Sequence, residues 1–168
     1  CDISKARKVI HDYRAIRDLD MEAQEANTRL FAIHKPVARD LRFVLTLSRA
    51  VYDLERINGE AVRLADIAQG LYENQPTVRD CAIFEDVQRI AAPASRLLER
   101  SMVAVAREDL DLAVGVALDG KDLENLFRAA VRRLATYLIE DPRNIGWVID
   151  ATLGIKAMER VGDHACSI

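Results

Sequence analysis

Helix breakers and aromatic rings are scarce in this chain: seven Gly, four Pro, four Phe, four Tyr and one Trp among 168 residues. A chain so rarely punctuated has little provision for frequent turns, and its wealth of Ala, Leu, Arg, Glu and Asp is the composition of long packed helices. An all-α fold is expected. Cys1, Cys81 and Cys166 are odd in number, far apart and without a C-x-x-C. That pattern argues against zinc and redox motifs and for reduced thiols in a cytoplasmic protein. No apolar run approaches the roughly 20 residues that cross a bilayer. No charged-then-apolar leader precedes the first helix, so a soluble, non-membrane-spanning protein is expected. A lipidated first Cys would want a flexible spacer behind it, which the sequence lacks. The missing initial Met suggests instead an internal fragment. Charge of one sign is also lacking: 24 Lys and Arg face 27 Asp and Glu, interleaved, with no basic block and no cluster of Arg with aromatics. No nucleic-acid footprint is visible.

What the chain does contain is nearly the same phrase twice. Placing Glu55 on Glu159, an offset of 104 residues, brings Leu54 onto Met158, Arg56 onto Arg160, Ile57 onto Val161, Ala61 onto Ala165 and Leu64 onto Ile168. Upstream the same offset aligns Leu41 with Ile145, Val44 with Val148, Leu45 with Ile149 and Val51 with Ile155. A match spanning a whole amphipathic helix implies a duplicated unit. The Glu-Arg pair near each helix end then calls for one explanation that serves twice.

Apolar residues from Ile3 recur at three and four positions, predicting a helix that ends near His34. Pro36 suits the first turn of a second helix over Val37 to about Ala68, with Gly59 inside it. Gly70, Asn74 and Pro76 read as a linker reaching about Cys81. A third helix is expected from Phe84 to about Ala106, kinked or divided at Pro93. A tight turn at Arg107 to Asp109 leads to a fourth over Leu110 to about Ile139, and a fifth follows Asp141-Pro142. Short connections between long helices predict antiparallel bundle packing. The expected architecture is two tandem three-helix-bundle repeats, side by side, over residues 1–76 and 77–168. The first repeat shows only two helices, so a helix is expected before Cys1. Ile168 is still in phase with the apolar stripe, so the last helix is expected to continue.

Glu159 occupies a seam position that its neighbours Ile145, Val148, Thr152, Ile155, Gly162 and Cys166 would fill with an apolar or small residue, and Glu55 does the same after Leu41, Val44, Ser48 and Val51. A carboxylate on an inward seam needs compensation by an Arg, by hydrogen bonds or by a metal ion. Asp163, one turn after Glu159, adds a like charge on the same face, where a shared cation would replace repulsion by ligation. The competing reading is structural: Glu55 and Glu159 pair with Arg residues of adjacent helices and set the bundle's register.

The segments KPVARDLRFVLTLSRAVYDLERI at Lys35 to Ile57 and YLIEDPRNIGWVIDATLGIKAMERVGDHACSI at Tyr137 to Ile168 resemble the two halves of PhoU proteins, accessory regulators of phosphate-specific transport and phosphate signalling. The resemblance runs over nearly the whole chain. It implies two copies of a three-helix bundle and a non-catalytic role in the cytoplasm, peripheral at the inner membrane through partners. Those partners would be a phosphate ABC transporter ATPase and a PhoR-type sensor histidine kinase, with the phosphate-starvation response held off when phosphate is plentiful. A homodimer is also expected. Some family members bind metal through a Glu/Asp-x-x-x-Asp motif on the third helix of each repeat, helped by acids on the second. Carried over, Glu159 and Asp163 match that motif completely, with Arg160 beside them and Asp122 and Glu124 as helpers. The first repeat keeps Glu55 and Arg56 but has Gly59 in place of the second acid, while Tyr13, Arg17 and Gly120 stand where acids are expected on the preceding helices. No cofactor is required. Any metal is expected at the second repeat as Mg²⁺ or Mn²⁺, with Zn or Fe as further candidates, and Glu55 is expected to be held by an Arg or by hydrogen bonds.

Two other classes remain for comparison. A carboxylate-bridged di-metal enzyme needs Glu-x-x-His on two helices, and none of His11, His34 and His164 lies three residues after an acid. A glycine-framed Ser and a Cys/His arrangement are absent. The remaining alternative is a helical-bundle scaffold, or a metal-binding protein without a signalling role. His164, about 100° around the helix from Asp163, reads as a surface or interhelix hydrogen-bonding residue.

Overall fold

The scarcity of breakers shows directly in the lengths of the elements. The computed structural model describes residues 3–74 and 81–168. Among them it contains five α-helices and no strand: α1 (Ile3–His34), α2 (Ala38–Asn74), α3 (Cys81–Arg107), α4 (Leu110–Glu140) and α5 (Ile145–Ser167), with a single 3₁₀ turn over Pro142–Asn144.

Two boundaries differ from the sequence reading, and at Pro93 the structure excludes one of its two alternatives. Pro36 lies in the α1–α2 connection and not in the first turn of α2. The reversal is made by Lys35 and Ala38, whose φ angles of 42° and 50° are left-handed, at a cost of about 1–2 kcal/mol each for a residue with a Cβ. Gly70 does not open the linker: α2 runs through it to Asn74. Glycine's penalty of about 1 kcal/mol is small beside the packing of an amphipathic helix against its neighbours. The rest of the expected linker, residues 75–80, falls outside the described residues. Pro93 does not divide α3, which continues from Cys81 to Arg107. Ile90, Ala94 and Leu97 flank it in the core at 1–3% exposure, and their burial offsets the missing backbone hydrogen bond.

The remaining turns form where local chemistry demands them. Glu108 is left-handed at φ 50°, its N–H bonds the Val105 carbonyl, and the Asp109 N–H bonds the Ala104 carbonyl. Both carbonyls at the end of α3 are thereby satisfied. Asp109 then caps α4 by accepting from the Leu112 N–H at 2.9 Å. Asp141 serves two elements: its N–H closes α4 on the Tyr137 carbonyl, and its carboxylate accepts from the Arg143 N–H at 3.1 Å and from the Arg143 guanidinium at 2.9 and 3.0 Å. Those hydrogen bonds hold the Asp141 carboxyl below the usual carboxylate range.

Helix α5 is the hub. It packs against α3 and α4 to complete a three-helix bundle, and its remaining face packs against α2, on whose far side α1 lies. The core consists of Ile90, Leu97, Val116, Leu123, Leu134, Trp147, Val148 and Ile155 with the small residues Ala94, Ala130, Ala151 and Ala165. Enclosure on three sides requires small residues on α5. Gly162 meets Leu123 so closely that any Cβ there would collide with it, and Gly120 of α4 likewise faces the Cys166 sulfur. By contrast α1 buries only Ala6, and Leu19, Met21 and Ile33 remain 56–65% exposed.

Gly162→Ala should destabilise the fold by about 1–3 kcal/mol, the usual penalty of overpacking, since Leu123 is 2% exposed and cannot swing into solvent. Pairing it with Leu123→Val should recover part of the loss in urea denaturation. A single substitution that leaves the midpoint unchanged would show that the α4–α5 contact is slack.

Candidate functional site

About two and a half turns of α5 carry Lys156, Glu159, Arg160, Asp163 and His164, and the 100° step per residue divides them between two faces. Lys156, Glu159 and Asp163 lie toward α4. Glu159 is 7% exposed and is bound by the Lys156 ammonium three residues earlier. That ammonium also sits 4.9 Å from the centre of the Phe127 ring on α4, a cation–π arrangement. Asp163 is on the solvent side of the same face. Partial burial and then the Glu159 charge push its carboxyl above the usual range, while Lys156 pulls the other way and Glu124 adds a smaller push.

The four expected metal ligands do not converge. Glu124 is exposed and pairs with Arg128 on its own helix at 2.6 Å. Asp122 is exposed and makes neither a hydrogen bond nor an ion pair among the described residues. Among those residues no three His, Cys, Asp or Glu side chains come together as a ligand set. A Mg²⁺ or Mn²⁺ ion needs about six oxygen ligands, and the seam carboxylate it would take first is already bound to an ammonium. The residues present do not fit a divalent ion as they stand.

In the first repeat, Glu55 is half-buried and has no hydrogen bond or ion pair among the described residues, so the Arg expected to hold it is not found. Arg56 instead stacks on Tyr52, 5.3 Å from the ring centre, and Tyr52 stands at the position of Lys156 in the duplicated register. Gly59 has open space where a side chain would go.

The charged residues of α5 that do meet another helix through an ion pair lie on its other face. Moving forward along α5, partners step backward along α2: Gly154 meets Leu64 and Ile67, Arg160 donates to Glu60 at 3.1 Å, and His164 Nδ1 meets Asp53 Oδ1 at 2.9 Å. The two duplicated helices therefore cross antiparallel. Asp53 is 8% exposed, and one oxygen of Glu60 is buried without a hydrogen bond, 3.6 Å from Arg63. Interhelix bonding was anticipated for His164. Asp53 and Glu60 were missed, although their seven-residue spacing places both on one stripe of α2, complementary to the Arg160-His164 stripe of α5. That pairing of stripes was the available signal.

Away from these groups, a groove of about 420 Å³ opens between the start of α2, the α3–α4 turn and the end of α5. Phe43, Val105, Leu110 and Cys166 help to wall it, and the Arg39–Glu108 ion pair, 2.8 Å, lies at its edge. Burial and then Asp163 push the Cys166 thiol above its ordinary value, so it is protonated at neutral pH and is a poor nucleophile.

Comparison with known proteins accounts for the duplicated phrase. The PhoU domain matches residues 1–68 and 87–168. The chain belongs to the PhoU family. A phosphate-specific transport system accessory protein PhoU homolog of Pseudomonas aeruginosa is 35% identical over 153 residues, which is 91% of this chain and 62% of that protein. The Escherichia coli accessory protein PhoU is 28% identical over 99% of this chain and 68% of its own length. The crystal structure of PhoU from Pseudomonas aeruginosa superposes with a TM-score of 0.92 at 33% identity, covering 98% of this chain and 78% of that one. A Streptococcus pneumoniae PhoU structure, at 21% identity and TM-score 0.86, shares the fold and covers 98% of this chain and 75% of its own. The chain thus spans 62% and 64% of the Pseudomonas aeruginosa and Pseudomonas putida relatives it matches.

Two measurements probe these sites. His164→Ala strands the buried Asp53 carboxylate and should cost about 1–3 kcal/mol. Combining it with Asp53→Ala should cost less than the two losses added, with a coupling of at least about 0.5 kcal/mol; strict additivity would mean that the pair does not interact. For Asp163 the sign runs opposite to that of a salt-bridged acid: a raised carboxyl disfavours the charged form in the fold, so its burden is present at neutral pH and is relieved as pH falls through the folded value. Asp163→Asn should therefore raise the melting temperature at pH 7 and lose that advantage near pH 3.

Proposed function

We propose that this chain is the helical part of a non-catalytic regulator of phosphate uptake and phosphate-starvation signalling. The observation that carries this reading is family membership, reinforced by 35% identity to a protein named as a phosphate-specific transport accessory homolog. In this proposal it links a Pst-type phosphate ABC transporter, through its ATPase, to a PhoR-type sensor histidine kinase and keeps the response off when phosphate is sufficient. It works in the cytoplasm, at the inner membrane through those partners, and as a homodimer. Its two repeats divide near residue 76.

The chemistry of the side chains favours binding over turnover. The thiol of Cys166 is raised and bonds the Val116 carbonyl at 3.7 Å, His164 is bound to Asp53, and Glu159 is bound to Lys156. These three side chains are tied to structural partners. Among the described residues no helix is long and apolar enough to cross a membrane, so association with a transporter would be through surfaces. The exposed apolar residues of α1 and of the α1–α2 connection, among them Leu19, Ile33 and Val37 at 63–72% exposure, offer area for contacts of that kind. Transporter state would then bias the kinase by differential binding, without chemistry in the adaptor itself.

Deleting the gene should switch on phosphate-starvation genes in phosphate-rich medium, and this induction should require the kinase. Normal repression in the deletion strain would remove the regulatory reading. Pull-down of the full-length protein should recover the transporter ATPase and the kinase, while recovery of neither would leave a helical scaffold.

A further inference from the structure

The seam of α5 contains a carboxylate too deeply buried to stand alone, and a single side chain compensates it. Glu159 is 7% exposed, and an unpaired charge in such surroundings is strongly unfavourable. Other cations nearby are already committed. Arg160 turns to Glu60 on the opposite face, Arg128 is held by Glu124, and His164 is bound to Asp53. Among the described residues Lys156 alone is bonded to Glu159. Its position is fixed twice, by the carboxylate one turn ahead and by the face of Phe127 across on α4.

We propose that Lys156 is a built-in counterion for this seam, an ammonium standing where the Glu159-Asp163 pair would otherwise recruit a divalent ion. In the intact chain a metal could reach Glu159 only by expelling that ammonium or by lying beside it. The first course strands Lys156 against an aromatic face. The second sets like charges at contact distance, where repulsion is strong in partly buried surroundings. The first repeat offers no substitute site: Gly59 supplies no second acid, Tyr52 replaces Lys156, and the local cation is Arg56 stacked on that ring. Both repeats thus carry a cation on an aromatic face, and only the second carries a carboxylate pair for it to neutralise. Lys156 keeps the register of α4 against α5 without a metal, and the fold does not depend on metal supply. The idea concerns cation choice alone and stands whether or not the chain regulates phosphate uptake.

The test is a Mn²⁺ titration of metal-stripped full-length protein, reading bound ion as loss of the free-ion paramagnetic resonance signal. Wild type and Lys156→Arg should both bind weakly. Lys156→Met should bind one Mn²⁺ at least tenfold more tightly than wild type, and Lys156→Met with Glu159→Gln should return to the wild-type level. Lys156→Gln, which keeps a polar end at this partly exposed position, serves the same purpose should the methionine variant fold poorly. Thermal melting gives a second reading: Mn²⁺ should raise the melting temperature of Lys156→Met and leave wild type unmoved. A wild-type site for one Mn²⁺ that Glu159→Gln abolishes would overturn the proposal. Wild-type affinity in both Lys156→Met and Lys156→Gln would do the same.

Discussion

Enclosure of α5 by three other helices is the constraint from which most of the structure follows. A helix packed on one side can point all its charges at water, but α5, packed against α2, α3 and α4, keeps only a stripe through Ile145, Ile149, Leu153, Arg160 and Asp163 for that. Its surface must be small where backbones approach, as at Gly154, Gly162 and Ala165, and neutralised where charge is retained, as at Glu159 and His164. Even the collision that a Cβ at Gly162 would make is a consequence of enclosure, because Leu123 has no free volume into which to retreat.

Duplication supplies the second constraint. The two copies of one helix meet each other antiparallel, so away from the crossing point a residue of α2 is packed against a different residue of the copied sequence and not against its own equivalent. Arg160 therefore faces Glu60, although its equivalent in α2 is Arg56. Once the copies serve different neighbours they are free to diverge, and they have: α5 retains Lys156 and Asp163 where α2 has Tyr52 and Gly59. The side chains of the two repeats differ accordingly. The second repeat keeps its carboxylate pair together with its own cation, and Glu55 in the first is left half-buried without a partner among the described residues.

How much of this was legible depends on the range of the interactions. The turn at Arg107 to Asp109 and the stop at Asp141-Pro142 were legible because capping is settled within about four residues. The all-helical fold followed from composition and period. Gly70 misled, and Pro93 left a kink and a division both open, because intrinsic propensity is outweighed by burial that the sequence does not display. Pro36 misled for a different reason, since a left-handed Lys35 and Ala38 have no sequence signature. Among the site residues, Glu159 was recognised as anomalous but its partner was sought on other helices. Lys156, three residues earlier on the same helix, is within reach of it, but no motif in the sequence marks an i,i+3 lysine as the partner of a buried acid. Asp53 and Glu60 were invisible as partners until the antiparallel crossing of α2 and α5 was known.

The choice of charged pairs at that crossing bears on what it does. Replacing a buried ion pair with well-packed apolar residues is often neutral or stabilising, so stability alone is a weak reason to keep Asp53, Glu60, Arg160 and His164 at the joint between α1–α2 and the α3–α4–α5 bundle. Specificity is the better reason. An apolar seam between two copies of one helix would tolerate sliding by a turn, because the same small and aliphatic residues recur along both. Two pairs separated by four residues on α5 and seven on α2 are satisfied together in only one register, and a one-turn slip would strand the 8%-exposed Asp53 carboxylate without His164. The joint is therefore bistable at most: the register is either kept, with both pairs made, or lost, with a buried acid uncompensated. A gradual slide of α2 along α5 is therefore disfavoured by the same two pairs that hold the register.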